Sequence, residues 1–102
     1  MQEENVVCIC GSTRFKSKMM DVAERMTMEG WVVLMPNVFG HADDIDLSEE
    51  DKEKLDELHK VKIRMADRVV VVNPDGYIGE STSEEIKFAE DIGRPVEYME
   101  TP

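Results

Sequence analysis

Residues 68–72 read RVVVV, and this run of four valines decides how the rest of the chain is arranged. A strand with one wet face would carry a polar residue at every second position. This one is apolar on both faces, the pattern of a central strand in a parallel sheet covered on either side by helices. Working outward, Asn5–Cys10 (NVVCIC) is a second β-rich run that stops at Gly11, Trp31–Met35 (WVVLM) is a third, closed by Pro36, and Pro95–Met99 supplies a short fourth.

Helical segments fill the gaps between these strands. Ser12 or Thr13 caps a helix that sets Phe15, Met19, Val22 and Met26 on one stripe and stops at Gly30. Ser48, with Asp51 three residues on, starts a second helix whose inner side is expected to be Leu55, Leu58, Val61 and Met65. A third follows the glycine-rich segment NPDGYIGEST and ends near Gly93. Strand and helix thus alternate, βαβαβαβ. That order predicts an α/β fold: a doubly wound, flavodoxin- or Rossmann-like parallel sheet of about four strands with helices on both faces. The 102 residues make one domain, too small to hold a separate substrate domain.

Composition narrows the partners. A formal net charge of −11 opposes binding to nucleic acid polymers or to anionic lipid, while local donors can still hold a small anion. No apolar run approaches the roughly 18 residues of a membrane span, and MQEEN lacks a cationic signal start, so a cytoplasmic location is expected. Cys8 and Cys10 point to the same side of a strand and are expected to be buried, inert thiols. Asp43, Asp44 and Asp46 lack the glycine and final glutamate of a calcium loop, and His41 and His59 are too poorly spaced with cysteines or aspartates to suggest zinc. The expectation is therefore no metal and no cofactor.

In such a sheet the strand-to-helix loops share one rim, where ligands bind. Three stretches meet there: Gly11, Ser12, Thr13 and Arg14; Pro36–His41, with Asn37 and Phe39; and Asn73–Ser81, with Tyr77 and Gly79. The CGSTR run offers backbone N–H groups, a helix start and one cation, suited to a phosphate or sugar hydroxyl, although a tight turn and a cap explain the same residues. Cys8 and Arg14 also stand at the C-x5-R spacing of cysteine phosphatases, but Cys8 falls within the strand rather than in the loop. Asp67 begins the central strand at its far end, roughly 20 Å from the rim, and is expected to be structural.

Glu85 is the anomaly. It shares a helical face with Phe88, Ala89 and Ile92, the spacing of a buried stripe. Thr82-x-x-Glu85 would make it a capping-box residue, yet Ser81-x-x-Glu84 is an equally good box and leaves Glu85 without a structural task. A sheltered carboxylate without partners is costly, which marks it as a candidate for chemistry.

GST near the start, ADRVVVVN, and GYIGESTSEEIKFAEDIGRPVEY together resemble the nucleoside 2-deoxyribosyltransferase superfamily, which includes deoxynucleoside 5'-monophosphate N-glycosidases. The resemblance covers nearly the whole chain, and its most specific part is Glu85 with Ile86 and Ala89. It implies that Glu85 is a nucleophile on the anomeric carbon of a small nucleoside or nucleotide, that Gly11–Thr13 lie near the sugar or its 5' group, and that Ser81 and Thr82 lie near a 5'-phosphate. Tyr77 or Phe39 would stack on the base. Where family members carry a second carboxylate this chain has His59, a possible proton donor to the leaving base, with Glu80, Asp75 and Asp56 as substitutes. The rim of so small a domain covers little of a nucleoside, so a homo-oligomer is expected. The alternative is a noncatalytic nucleotide-binding module of the same fold.

Overall fold

The computed structural model describes residues 5–100. Four strands, β1 (Val6–Gly11), β2 (Val32–Leu34), β3 (Arg68–Val72) and β4 (Val96–Tyr98), alternate with three helices, α1 (Lys16–Met28), α2 (Glu49–Met65) and α3 (Glu80–Asp91). The sheet order is β2-β1-β3-β4 and every pairing is parallel. The doubly wound α/β architecture is therefore the one expected from the alternation of strands and helices.

Period-2 alternation in the two central strands divides the interior. Val7, Ile9, Val70 and Val72 face α1 and pack with Met19, Val22 and Met26. Cys8, Cys10, Val69 and Val71 face the opposite layer and meet Ile63 and Ala66 from the α2 side and Ile86 and Ala89 of α3. Because β1 leads outward to β2 and the chain then returns to β3, the order reverses between β1 and β3. Their carboxyl ends form the switch-point crevice at which open α/β sheets bind ligands.

Most local signals act as read. Ser12 Oγ accepts the Arg14 N–H at 3.4 Å, capping a 3-10 turn (Thr13–Phe15) that runs into α1. Ser48 Oγ accepts from Asp51 N at 3.0 Å at the start of α2. Gly30 ends α1 with φ +99°, a conformation that carries a Cβ penalty for other residues. Asp67 is structural: its carboxylate accepts the Val6 N–H at 2.9 Å, tying β1 to the start of β3.

Three expectations need correction. Of the inner face expected for α2, Leu55 is half-buried, but Leu58, Val61 and Met65 are 51%, 38% and 63% exposed, and His59 and Ile63, with Ala66 just past the helix end, are buried in their place. The helix is rotated by about one residue, or about 100°, because the buried face is set by what awaits it, two cysteines of β1 and the Glu85 carboxylate of α3, which suit an imidazole better than a leucine. Neither Ser81 nor Thr82 caps α3, which starts at Glu80 after Gly79 with no side-chain cap. Finally, the strand expected over Trp31–Met35 pairs only over Val32–Leu34, since it is the sheet edge.

Candidate functional site

The rim opens into a cleft of about 950 Å³ between the carboxyl end of the sheet, the 36–47 loop, α2 and the start of α3. Of the expected binding residues, Gly11, Ser12, Thr13 and Arg14 line its floor, and Asn37 one wall. Tyr77, Gly79, Ser81 and Thr82 line the cleft as well, together with His59 and Glu85. Phe39 does not: its ring is buried at 7% exposure in the core on the α1 side, with Lys16 Nζ 5.4 Å from its centroid. Of the two aromatic residues expected at the rim, Tyr77 alone lines the cleft. The reason is positional: the otherwise polar 36–47 loop anchors itself through its one aromatic residue.

Each wall is held by specific contacts. Gly11 lies too close to β3 for a side chain, since a Cβ there would stand 2.7 Å from the Val72 carbonyl oxygen. Arg14 donates its Nε–H to Ser12 Oγ at 3.1 Å and lays its guanidinium 4.7 Å from the centre of the Tyr77 ring, whose edge also meets Phe15. A cation and an aromatic face are thereby presented together at the cleft floor. Lys62 donates to Asn37 Oδ1 at 2.5 Å and to the Met35 carbonyl at 2.8 Å, tethering the 36–47 loop to α2. Neither Lys62 nor this tether was indicated by the sequence.

Glu85 and His59 meet. The carboxylate Oε1 lies 3.6 Å from His59 Nε2, with side-chain exposures of 14% and 7%. Because α3 starts at Glu80, Glu85 is six residues into the helix, beyond the reach of its first N–H groups, and the capping explanation fails. The same nitrogen also meets the two thiols: Nε2 is 3.2 Å from Cys10 Sγ and 3.7 Å from Cys8 Sγ. Both thiols are buried, as expected, and the contact with His59 adds a partner that strand spacing does not show. The i, i+2 spacing showed that both sulfurs share a face, but the helix residue opposite them depends on packing.

Proton affinities in the cluster are displaced together. Burial pushes Glu85 up to about 7 against the pull of His59. For His59, burial works against the imidazolium, yet the hydrogen bond with Cys8 and the charge of Glu85 outweigh it and raise the group above its ordinary value. A hydrogen bond from Cys10 brings Cys8 down to about 6, and the same contact, with burial, raises Cys10. Carboxylate and imidazole thus face each other with both proton affinities raised above their ordinary values.

The phosphatase alternative lacks its geometry. Cys8 is fully buried in the middle of β1 and Arg14 stacks on Tyr77, so thiol and guanidinium do not converge on one anion site. The exclusion of zinc on spacing, by contrast, misses a group that forms only in three dimensions: the donor atoms of Cys8, Cys10 and His59 all lie within 4.8 Å of one another. Fold and rim define a flavodoxin-like α/β domain with a switch-point cleft. Comparison with known proteins finds no family model that matches the chain and no similar curated sequence.

Proposed function

We propose that this protein cleaves or transfers the N-glycosidic bond of a small deoxynucleoside or nucleotide, with Glu85 as nucleophile and His59 as the proton donor. The observation that carries the reading is the Glu85 carboxylate itself: sheltered in the cleft wall, free of any capping duty, and paired with an imidazole at 3.6 Å. In this reading Glu85 attacks the anomeric carbon, the carbon–nitrogen bond breaks with its electron pair leaving on the base, and His59 supplies the base with a proton. Water, or a second base in a transferase, then opens the glycosyl ester. Arg14 and the free N–H groups at the start of α3 favour a 5'-phosphate, and the Tyr77 face suits a base or sugar. The resemblance to the nucleoside 2-deoxyribosyltransferase superfamily agrees with this assignment of roles.

The test is incubation with each deoxynucleoside and its 5'-monophosphate, with chromatography for free base. Release that Glu85→Gln lowers by three orders of magnitude or more, while nucleotide binding persists, is expected. Tight binding with no release by the wild-type protein would favour the noncatalytic module.

We also propose a homo-oligomer. Leu58, Val61 and Met65 form an exposed stripe on α2, and Leu58 reaches the cleft margin, so a second copy seated there would shelter both the stripe and the ligand.

A further inference from the structure

We infer that Cys8, Cys10, His59 and Glu85 form a binding site for a thiophilic divalent transition metal of the zinc class. The inference begins with donor chemistry. Two sulfurs and one imidazole nitrogen, from β1 and α2, lie within 4.8 Å of one another in a buried pocket of the sheet–helix interface, and a Glu85 carboxylate oxygen from α3 stands 3.6 Å from the same nitrogen as the fourth donor. Sulfur and imidazole select zinc, copper or cobalt over magnesium and calcium, which prefer all-oxygen shells.

The distances agree with tetrahedral coordination. Bonds of about 2.3 Å to sulfur and about 2.0–2.1 Å to nitrogen or oxygen place neighbouring ligand atoms about 3.3–3.8 Å apart. His59 Nε2 stands 3.2 Å from Cys10 Sγ, 3.7 Å from Cys8 Sγ and 3.6 Å from Glu85 Oε1. One nitrogen held near the tetrahedral edge length from three other donors is more than hydrogen bonding demands, since a single Nε2 makes one good hydrogen bond and leaves the other contacts long.

An entry path for a cation adjoins the cluster. A second, smaller hollow of about 210 Å³ between α2 and α3 is lined by Glu53, Asp56, Glu57 and Glu84 beside Glu85 itself, with Lys60 as the cation on its wall. Such a mouth draws a divalent ion toward Glu85 and repels anions, whereas the Arg14 end of the large cleft does the reverse. On binding, the metal displaces a proton from each cysteine still protonated and occupies the His59 lone pair. It thereby holds the two side chains that the glycosidase chemistry requires free, so the metal-free protein is the form in which that chemistry operates.

Titration of the reduced, metal-free full chain with cobalt(II), without nucleoside, tests the site independently of the proposed function. A one-to-one complex with a thiolate-to-cobalt charge-transfer band and the intense visible bands of tetrahedral cobalt, displaced by zinc, is expected. X-ray absorption of the wild-type zinc complex, which avoids any question of misfolded variants, should show two sulfurs at about 2.3 Å and two lighter ligands at about 2.0 Å. Glu85→Gln should weaken zinc at least tenfold while keeping the charge-transfer band, and His41→Ala should change nothing. No stoichiometric binding, a shell of oxygens only from the acidic surface, or unchanged affinity in Glu85→Gln would overturn the assignment.

Discussion

At the scale of the residue, Glu85 is held against its ionic preference, and this has a measurable pH signature. Its ordinary value of 4.5 rises to about 7 in the folded protein, chiefly through burial, with His59, Cys8, Cys10 and Asp56 as the titratable groups that face it. Between those values the native chain keeps a proton that the unfolded chain has released. The stability this group contributes is thus fully present below pH 4.5 and is lost as the pH rises toward 7. Glutamine has no such loss. In metal-free protein, Glu85→Gln should match the wild type in denaturant unfolding near pH 4.5 and exceed it by up to about 3 kcal/mol near pH 8. A difference between variant and wild type that does not change with pH would show that the carboxylate is hydrated in the fold.

Among the elements, the sheet's far edge depends on one fully buried amide. Asn73, just past β3, donates to the Glu100 carbonyl at 2.7 Å and accepts the Glu100 N–H at 2.9 Å, holding the end of β4 beside the end of β3. The Glu100 side chain in turn accepts the Asp75 N–H at 3.0 Å, so the turn between β3 and α3 hangs on the same tie. Asn73→Ala removes both amide bonds and should cost about 2 kcal/mol in denaturant unfolding. Asn73→Asp should cost more, since it sets a buried carboxylate oxygen against the Glu100 carbonyl where an N–H had donated. An Asp variant as stable as the wild type would mean that the amide is not the tie.

For the molecule as a whole, no helix among the described residues is long and apolar enough to cross a membrane. The apolar stripe on α2 therefore needs another explanation, and a second copy supplies one. Sedimentation velocity should find a dimer or larger species, and Leu58→Glu combined with Met65→Glu should reduce it to a monomer with the thermal melt of its fold intact. A wild-type monomer across the micromolar range would remove the argument for a shared site.

Sequence alone determined the order of elements, the parallel sheet and the two-faced burial of β1 and β3, because those follow from alternation, β-branched runs and glycine stops that act within a few residues. It also showed that Cys8 and Cys10 share a face and that Glu85 falls on an apolar helix face, while the structure removed its capping alternative. Only the tertiary structure decided that α2 turns His59 inward rather than Leu58, that Phe39 belongs to the core and not the cleft, and that two thiols, an imidazole and a carboxylate meet. Residues 8, 59 and 85 are far apart along the chain, and a helix's rotation about its axis is chosen by the surface it packs on rather than by its own periodicity. Local patterns carry no information about that partner, and a site assembled from three elements takes shape only when they pack.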